Sequence, residues 1–296
     1  MNAWRPRVTS PVVALLLAVP VPLTESAPTV GLNHLTLTPD SATFAAIASS
    51  TFLRDTFALL AQSPADKPAD DGIAIFGRST YVEFLRPASG SEPGTSSVAF
   101  GTDERGALRV VARRLTSEVG AVRLDSLTRR RDSADIPWLY ELVAADTRMD
   151  SALAVRVIEY HPRFLHSWYG VAPAASTSVA RTKVLAALTT RSDTTRRRYP
   201  FIDVVGIKSA ASSQTENVLL AHCRAVGWRV QPTTSGQACV GSDARLFLVP
   251  WKSGQHGVVA FTMRIAPSAK LRAPATRRFG RSTLRISRNG FATWEL

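Results

Sequence analysis

Short runs of alternating apolar and polar residues, interrupted by single amphipathic helices, constrain the fold of this chain most strongly. Alternation is typical of strands with one buried face, and an apolar stripe at helical spacing is typical of a helix packed on a core. The first half predicts a strand at residues 31–38, a helix from residue 41 and further strands that include residues 80–85. The order begins again with a strand at residues 201–208 and a helix from residue 213. This order, present twice, predicts an α+β fold with helices packed on mainly antiparallel sheets.

The two halves also carry a faint internal repeat. The segment GRSTYVEFLRP at residues 77–87 is echoed by GSDARLFLVPW at residues 241–251. Both begin with a glycine and a polar turn, and both continue into a strand rich in aromatic and aliphatic residues. The echo predicts that the two segments occupy corresponding places in two related units.

The N-terminus has the pattern of a secretory signal peptide. Arg5 and Arg7 precede an uncharged apolar run at residues 11–23, and small residues follow at residues 24–27. This run is shorter than the roughly 20 residues that a membrane-spanning helix needs. We expect cleavage after Ser26 and export to the periplasm or the medium, with an uncleaved anchor as the alternative. No later segment predicts a membrane span, so the exported protein would carry no integral membrane segment.

The chain is strongly basic, with a formal net charge of +13 and arginine clusters at residues 129–131, 196–198 and 277–281. A basic surface favours anionic partners such as nucleic acids, acidic polymers and lipid headgroups. No zinc-finger, winged-helix or aromatic-basic RNA motif accompanies these clusters, so nucleic acid is not the expected partner. We expect a small-molecule ligand, and binding of an anionic polymer through basic loops is a further alternative.

The two cysteines, Cys223 and Cys239, leave two interpretations open. In an oxidising compartment they would form one disulfide that closes a short loop, whereas two buried thiols are the alternative. Their spacing does not match a zinc site. The chain also contains no P-loop, no GxGxxG and no GxSxG motif, so these classes of nucleotide-binding protein and hydrolase are not indicated.

A strand with a central histidine, LNHLTLT at residues 32–38, is followed by an amphipathic helix and by TYVEFL at residues 80–85. In this pattern the chain resembles the vicinal-oxygen-chelate superfamily of glyoxalases, bleomycin-resistance proteins and extradiol dioxygenases. The segments VGIKSA, LLAHCRAVGW and LFLVP resemble a second module of that superfamily. PWLYEL and IEYHPRFL resemble segments of an uncharacterised, exported glyoxalase-like branch.

This resemblance implies paired βαβββ modules whose curled, mainly antiparallel sheets surround a cleft, with the helices packed outside. It implies a signal peptide at residues 1–26 and a first module at residues 27–120. Connecting strands, a helix and a basic loop would occupy residues 121–199. A second, degenerate module would occupy residues 200–296.

The resemblance also implies a site on the strands of the first module. His34 matches the first-strand histidine of the superfamily and Glu83 matches its later-strand glutamate. Both would bind one divalent metal ion that chelates two neighbouring oxygens of a substrate. Tyr81 shares a strand face with Glu83, and these two residues are the catalytic candidates. The matching positions of the second half are Val204 and Phe247, which cannot bind a metal ion, so we expect a buried scaffold there.

The middle segment offers two further ligand-binding candidates. His161 shares a strand face with Glu159 by the period of two and would be a third metal ligand, and Arg163 would hold an anionic group. The alternatives are a turn at His161 and a buried hydrogen-bonded pair of His34 and Glu83. Two functions therefore stay open. One is a metal-dependent lyase, isomerase or dioxygenase, and the other is a non-catalytic protein that sequesters a small molecule.

Overall fold

A computed structural model describes ten segments of the chain, and two eight-stranded sheets dominate them. The segments are residues 28–62, 72–87, 93–131, 134–145, 152–169, 179–188, 199–251, 256–267, 271 and 274–296. The predicted signal peptide at residues 1–26 and the arginine cluster at residues 196–198 lie outside the described residues.

Eight strands from the first part of the chain form the first sheet. They are β1 (Val30–Leu37), β2 (Leu59–Gln62), β3 (Gly72–Phe76), β4 (Tyr81–Leu85), β5 (Ser96–Thr102), β6 (Val122–Arg131), β7 (Ala134–Ala144) and β8 (Leu153–Tyr160). Their order across the sheet is β2-β3-β4-β1-β5-β8-β7-β6. The pairs β1–β4 and β5–β8 are parallel, and the other described pairs are antiparallel.

Eight strands from the last part of the chain form the second sheet. They are β9 (Phe201–Ala211), β10 (Arg229–Thr233), β11 (Gly236–Val240), β12 (Arg245–Pro250), β13 (Gly257–Ile265), β14 (Ala275–Phe279), β15 (Ser282–Ile286) and β16 (Phe291–Glu295). Their order is β10-β11-β12-β9-β13-β16-β15-β14. The two orders match strand for strand, so the two sheets follow the same path.

The described helices connect or follow these strands. They are α1 (Ser41–Ala48), a π-helix (Leu53–Phe57), α2 (Ala107–Val119), α3 (Pro162–Tyr169), α4 (Arg181–Leu188) and α5 (Ser213–Ala225). One helix was predicted from residue 41 to residue 57, but α1 ends at Ala48 and the π-helix begins at Leu53. None of the helices in these segments is both long and apolar enough to span a bilayer.

Each sheet consists of two four-stranded modules. In each module the first strand lies beside the fourth, the fourth beside the third and the third beside the second, as in β1-β4-β3-β2. Helices α1, α2 and α5 each connect the first strand of a module to its second strand, and the described residues between β13 and β14 contain no helix. The predicted α+β class with βαβββ modules and mainly antiparallel sheets is therefore confirmed.

The middle of the chain belongs largely to the first sheet. β6, β7 and β8 fall within the predicted connection at residues 121–199, yet they pair beside β5 and complete a second module. The segment after β8, for which a turn was one interpretation, forms α3 with Pro162 as its first residue. Proline is favourable at that position because its missing N–H would have no partner within the helix. The domain limits at residues 26, 120 and 199 stay predictions.

One hydrophobic core lies between the two sheets. Buried side chains from both sheets and from α1, α2 and α5 form a single cluster. Aromatic rings join the halves of the chain, with centroid distances of 5.1 Å between Phe84 and Trp294 and 5.0 Å between Phe100 and Trp228. Each sheet therefore has an inner face toward this core and an outer face turned away from it.

The internal repeat marks two turns with the same hydrogen bond. The N–H of Gly77 donates to the carbonyl of Thr80 at 2.8 Å, and the N–H of Gly241 donates to the carbonyl of Ala244 at 3.0 Å. One turn leads into β4 and the other into β12, which are both the fourth strands of their modules. The repeat in the sequence therefore corresponds to a repeat in the structure.

Each of these turns contacts the first strand of the other sheet. Asp203 on β9 accepts hydrogen bonds from three consecutive backbone N–H groups at residues 78–80, with distances of 3.0, 2.7 and 2.9 Å. In return, Asp243 accepts a hydrogen bond of 3.5 Å from the N–H of Leu32 on β1 and one of 2.6 Å from the guanidinium of Arg181. These two contacts fix the two sheets against each other.

The cysteines form a disulfide, which decides between the two interpretations. Cys223 on α5 is bonded to Cys239 on β11, with their Cα atoms 6.1 Å apart. Both side chains are fully buried. The bond therefore ties the helix of the third module to its sheet from within the core.

Candidate functional site

Two neighbouring strands bring the predicted site residues to one face of the first sheet. His34 on β1 lies opposite Tyr81 on β4, and Thr36 lies opposite Glu83. The rings of His34 and Tyr81 stack with their centroids 4.5 Å apart and a 19° angle between their planes. The residues between them, Leu35, Val82 and Phe84, are fully buried in the core. Because side chains alternate along a strand, His34, Tyr81 and Glu83 share the outer face.

An irregularity in β1 places a second polar side chain beside His34. The register of β1 on β5 shifts between Leu32 and His34. Asn33 is 1% exposed and its Oδ1 lies 2.8 Å from Nδ1 of His34. The hydroxyl of Tyr160 donates to the same Oδ1 at 3.4 Å. We assign the hydrogen of His34 to Nδ1 because Asn33 Oδ1 can only accept, and this leaves the lone pair on Nε2.

A cation lies on the same face, two strands from His34. Ala99 on β5 lies opposite His34, and Arg156 on β8 lies opposite Ala99. The guanidinium of Arg156 donates to Oε1 of Glu141 at 2.7 Å, and the Arg156 side chain is 32% exposed. Its Nε is buried and has no hydrogen-bond partner among the described residues. One donor of Arg156 is therefore shielded from water and not used within the described protein.

A small apolar cluster covers one end of this face. Ile158 and Tyr160 point outward from β8 and pack with Leu139 of β7, Phe164 of α3 and Val184 of α4. All five side chains are buried. Helices α3 and α4 thus cover one end of the outer face and form an apolar wall there. They also shield Tyr160 from water.

Burial keeps His34 neutral. The side chain is 7% exposed, and burial, followed by the positive charge of Arg156, lowers the pKa of His34 to about 3. Burial and a nearby cation both disfavour the protonated imidazole. At neutral pH His34 is therefore a neutral proton acceptor at Nε2 beside a fixed positive charge.

The described residues around His34 offer fewer ligands than a catalytic metal site usually has. A catalytic metal site usually has three protein ligands, and the described part of the chain holds no group of three His, Cys, Asp or Glu side chains that could bind an ion. On the side of β1 away from β4, the residues in line with His34 are Ala99 on β5 and Arg156 on β8. The side chain of Ala99 has no atom that could bind a metal ion, and Arg156 is a cation. The charge that opposes a proton on His34 also opposes a metal ion there.

The structure does not bring His161 to this face. Glu159 faces inward and accepts hydrogen bonds from the N–H groups of Gly106 and Leu108 at the start of α2, at 2.8 and 3.0 Å. The ring of His161 lies 5.4 Å from that of Tyr140, which is opposite Glu159. His161 thus continues the inner face of β8, whereas His34 lies on the outer face.

His161 and Arg163 form a local arrangement at the start of α3. The backbone N–H of Arg163 donates to Nδ1 of His161 at 3.1 Å. Burial, and then the positive charges of Arg163 and Arg105, lower the pKa of His161. Arg163 is exposed on α3. These contacts order the junction between β8 and α3, and they place neither residue beside Glu83.

The counterpart of His34 in the second sheet is not Val204. Tyr81 begins β4 opposite His34, and Arg245 begins β12 opposite Gly206. Val204 instead faces the core and is 1% exposed. The prediction of Val204 was wrong because it aligned β9 with β1 two residues out of register. Both strands carry the same irregularity, between Leu32 and His34 on β1 and between Val204 and Gly206 on β9, so Val204 corresponds to the buried Leu32.

Phe247 is the counterpart of Glu83, but it is not buried. Phe247 lies two residues after Arg245 on β12 and opposite Lys208. Glu83 likewise lies two residues after Tyr81 on β4. Its side chain is 37% exposed. The expectation of a buried wall at Phe247 was wrong because the described helices leave its part of the outer face of the second sheet uncovered.

Four residues of this face, Asn33, Glu141, Arg156 and Tyr160, were not among the residues predicted from the sequence. Arg156 had a visible signal, since it is the one charged residue in the run LAVRVI of β8. A lone charge at an outward position of an apolar strand marks a polar function on that face. Asn33 and Tyr160 had no such signal, because their contact depends on the order of the strands in the sheet.

A family model identifies the family of this chain. The chain matches a family described as "Family of unknown function (DUF5829)" over residues 32–296. This match covers most of the chain, and the protein belongs to that family. No functionally curated protein matches the chain.

Several solved structures are similar to the chain. A hypothetical protein from Staphylococcus aureus is 11% identical, with a TM-score of 0.51 over 84% of this chain and 95% of that one. The Mn(II)-bound glyoxalase from Novosphingobium aromaticivorans is 12% identical, with a TM-score of 0.43 over 88% and 79% of the two chains. Homoprotocatechuate 2,3-dioxygenase from Arthrobacter globiformis is 10% identical, with a TM-score of 0.44 over 89% and 78%. At these identities the first likeness shows a shared fold alone, and the other two carry no argument about the site.

Proposed function

We propose that this member of the DUF5829 family binds a small anionic molecule on the outer face of its first sheet and needs no divalent metal ion to do so. The observation that carries the proposal is the pairing of a neutral, buried His34 with the Arg156 cation on one face. The guanidinium of Arg156 attracts an anion, and the neutral imidazole of His34 accepts a hydrogen bond from a hydroxyl group of that anion.

A carboxylate with a neighbouring hydroxyl or keto oxygen fits this set of donors and acceptors. Arg156 would hold the carboxylate, and Nε2 of His34 would accept from the neighbouring hydroxyl. The ring of Tyr81 stacks on that of His34 and helps to fix its orientation. The carboxylate of Glu83 would accept a hydrogen bond from a second hydroxyl group of the ligand. Pockets for small molecules combine a few convergent polar groups with apolar walls, and the cluster around Tyr160 supplies one such wall.

Sequestration of such a ligand is the function that we infer first. His34 is held by Asn33 in one orientation, which suits specific binding. With a pKa of about 3, His34 is a weak base at neutral pH, so this arrangement favours binding over the removal of a proton from a ligand.

A second candidate is a metal-assisted enzyme of the glyoxalase or dioxygenase type. The observation in its favour is that His34 and Glu83 lie on one face of two paired strands. A divalent ion bound there would act as a Lewis acid on two neighbouring substrate oxygens. The charge of Arg156 weighs against this candidate.

Calorimetric titration of the purified mature chain separates the two candidates. We expect at least one of glycolate, lactate and glycerate to bind, and we expect Mn²⁺ not to bind at the site. The variant Arg156→Met should abolish anion binding, whereas Arg109→Met on the exposed side of α2 should not change it. Binding of one Mn²⁺ ion that is lost in both His34→Gln and Glu83→Gln would replace our proposal with the second candidate.

We also propose that the chain is exported, on the strength of its N-terminal sequence pattern. Mass spectrometry of the periplasmic or secreted fraction should show a chain that begins near Ala27. A full-length mass in that fraction, or retention of the chain in the cytoplasm, would contradict this proposal.

A further inference from the structure

The outer face of the second sheet carries an unbroken row of opposed residues. Its central part consists of Arg245, Gly206, Thr262, Thr293 and Arg285, each opposite the next on adjacent strands. Residues that directly face one another across strands point to the same side of a sheet. The neighbours of this row along the strands, such as Ile207 and Trp294, are buried in the core. The row therefore faces away from the protein.

The middle of this row has small side chains, and a cationic side chain lies at each end. Gly206 has no side chain, and a Cβ atom there would meet the Cβ of Thr262 at 3.3 Å. Arg245 and Arg285 are both exposed and are separated by four strand spacings, or about 19 Å. Two cations thus flank a surface formed by the backbone of Gly206 and the side chains of Thr262 and Thr293.

Other cations extend the charge beyond the row. The exposed basic side chains of this face are Lys208, Arg229, Arg245, Arg264, Arg278 and Arg285. Two carboxylates partly offset them, since Glu295 lies 3.2 Å from Arg285 and Asp203 lies 3.9 Å from Arg264. Positive charge therefore exceeds negative charge on this face over a width of several strands. Such a surface favours binding of an extended anionic partner.

We propose that this face, which we call the basic face, binds an acidic oligosaccharide across its strands. Arg245 and Arg285 would each bind a carboxylate, since the guanidinium fork matches carboxylate geometry. Thr262 and Thr293 would bond to sugar hydroxyls between them. Phe247 lies beside Lys208 and is 37% exposed, and its ring offers an apolar surface to the apolar face of a sugar ring.

Single-stranded nucleic acid fits the basic face less well. Such binding relies on aromatic rings that stack on successive bases. Phe247 on β12 and Phe291 on β16 are the large aromatic side chains exposed within the described strands of this face. They lie three strands apart and in different rows, so at least about 14 Å separates them. That distance prevents the two rings from stacking on neighbouring bases.

The test is a titration of the mature chain with oligogalacturonate, with maltohexaose as the neutral probe and oligothymidylate as the nucleic acid probe. We expect binding of oligogalacturonate that weakens with added salt, and no binding of maltohexaose. The double variant Arg245→Ala/Arg285→Ala should raise the Kd for oligogalacturonate by roughly tenfold or more. The matched control Arg105→Ala/Arg109→Ala removes the same charge from α2 and the loop before it, and should change the Kd by less than about twofold.

Each other outcome counts against the proposal. An equal loss in the control variant would show that net charge alone causes binding. Tighter binding of oligothymidylate, lost in Arg245→Ala/Arg285→Ala, would show a nucleic acid surface instead. Absence of oligogalacturonate binding by a wild-type chain with an intact circular dichroism spectrum would overturn the proposal outright. Both variants replace exposed side chains, so folding of each is checked by the same spectrum.

Discussion

The two sheets follow the same strand path, but their outer faces have opposite characters. The first sheet buries a network of polar side chains around His34, and helices α3 and α4 cover one end of it. The second sheet has Gly206 at the position of His34 and Phe247 at the position of Glu83, and its outer face is open and basic. Corresponding backbone positions therefore support different surfaces.

This difference follows from where the stability of the fold arises. The inner faces of both sheets contribute to one core, and each substitution there affects packing on both halves. The outer faces contribute little to that core, so their side chains are free to differ. The comparison predicts that inner-face changes affect the whole molecule and that outer-face changes affect binding.

The largest expected effect is that of Phe84→Ala on the inner face of β4. The ring of Phe84 is fully buried and lies 5.1 Å from that of Trp294 in the other sheet. We expect a loss of about 3–5 kcal/mol in the free energy of unfolding, in one cooperative transition of both sheets. The matched change Phe247→Ala on the outer face of β12 should cost roughly 1 kcal/mol or less, because that ring is 37% exposed. Urea melts with two separate transitions, or equal losses of free energy of unfolding in both variants, would contradict the difference between the inner and outer faces.

The His222→Leu variant should remove a pH dependence that arises in the second half. His222 is fully buried on α5, its Nδ1 bonds to the carbonyl of Val218, and its Nε2 has no partner among the described residues. Burial lowers the pKa of His222 from 6.5 to about 4. Between these values the unfolded chain takes up a proton that the folded chain does not, so the free energy of unfolding falls as the pH falls.

His222 should account for a loss on the order of 3 kcal/mol in the free energy of unfolding from pH 6.5 to pH 4, in addition to the loss that His34 causes. The variant His222→Leu should lack the part that His222 causes. His256→Leu serves as the control, since His256 is only half-buried. Urea melts at several pH values measure the difference. Parallel pH profiles for the wild type and His222→Leu would show that His222 is not the group responsible.

A smaller effect is expected from the contact between the sheets. Asp203→Ala removes the acceptor of three backbone N–H groups at residues 78–80, and we expect a loss of about 2–3 kcal/mol. Asp243→Ala, its counterpart, should cost about 1 kcal/mol, because Asp243 is more exposed and Arg181 keeps Asp103 as a partner. Thermal melts of the two variants measure the difference. Equal costs would mean that the two turns contribute alike.

The sequence predicts the strands better than it predicts their assembly. Alternation identifies β1, β4, β8 and β9, and the repeat identifies two corresponding turns. The helix predicted from residue 213 begins there, with Ser212 as its N-cap, whose hydroxyl accepts from the N–H of Thr215. Strand order depends on contacts between distant residues, so the inclusion of β6 to β8 in the first sheet could not be derived from local patterns.

The same limit applies to the candidate site. His34, Tyr81 and Glu83 were found because they lie within alternating strands and match a family pattern. Arg156 affects His34 only because β5 lies between β1 and β8, and this order is a property of the folded sheet. The expected metal site was derived from matched residue types, whereas the charge beside them depends on the assembled face.

We propose that His34 is a neutral hydrogen-bond acceptor beside Arg156 in a site for an anion. NMR of the mature chain with ¹⁵N-labelled histidine tests this arrangement by a pH titration and by additions of glycolate and Mn²⁺. We expect His34 to stay neutral, with its hydrogen on Nδ1, to well below pH 5, and we expect Arg156→Met to raise its pKa. Glycolate should shift the His34 signals. A His34 that titrates near pH 6.5, or one that Mn²⁺ broadens selectively at equimolar concentration, would overturn the proposal.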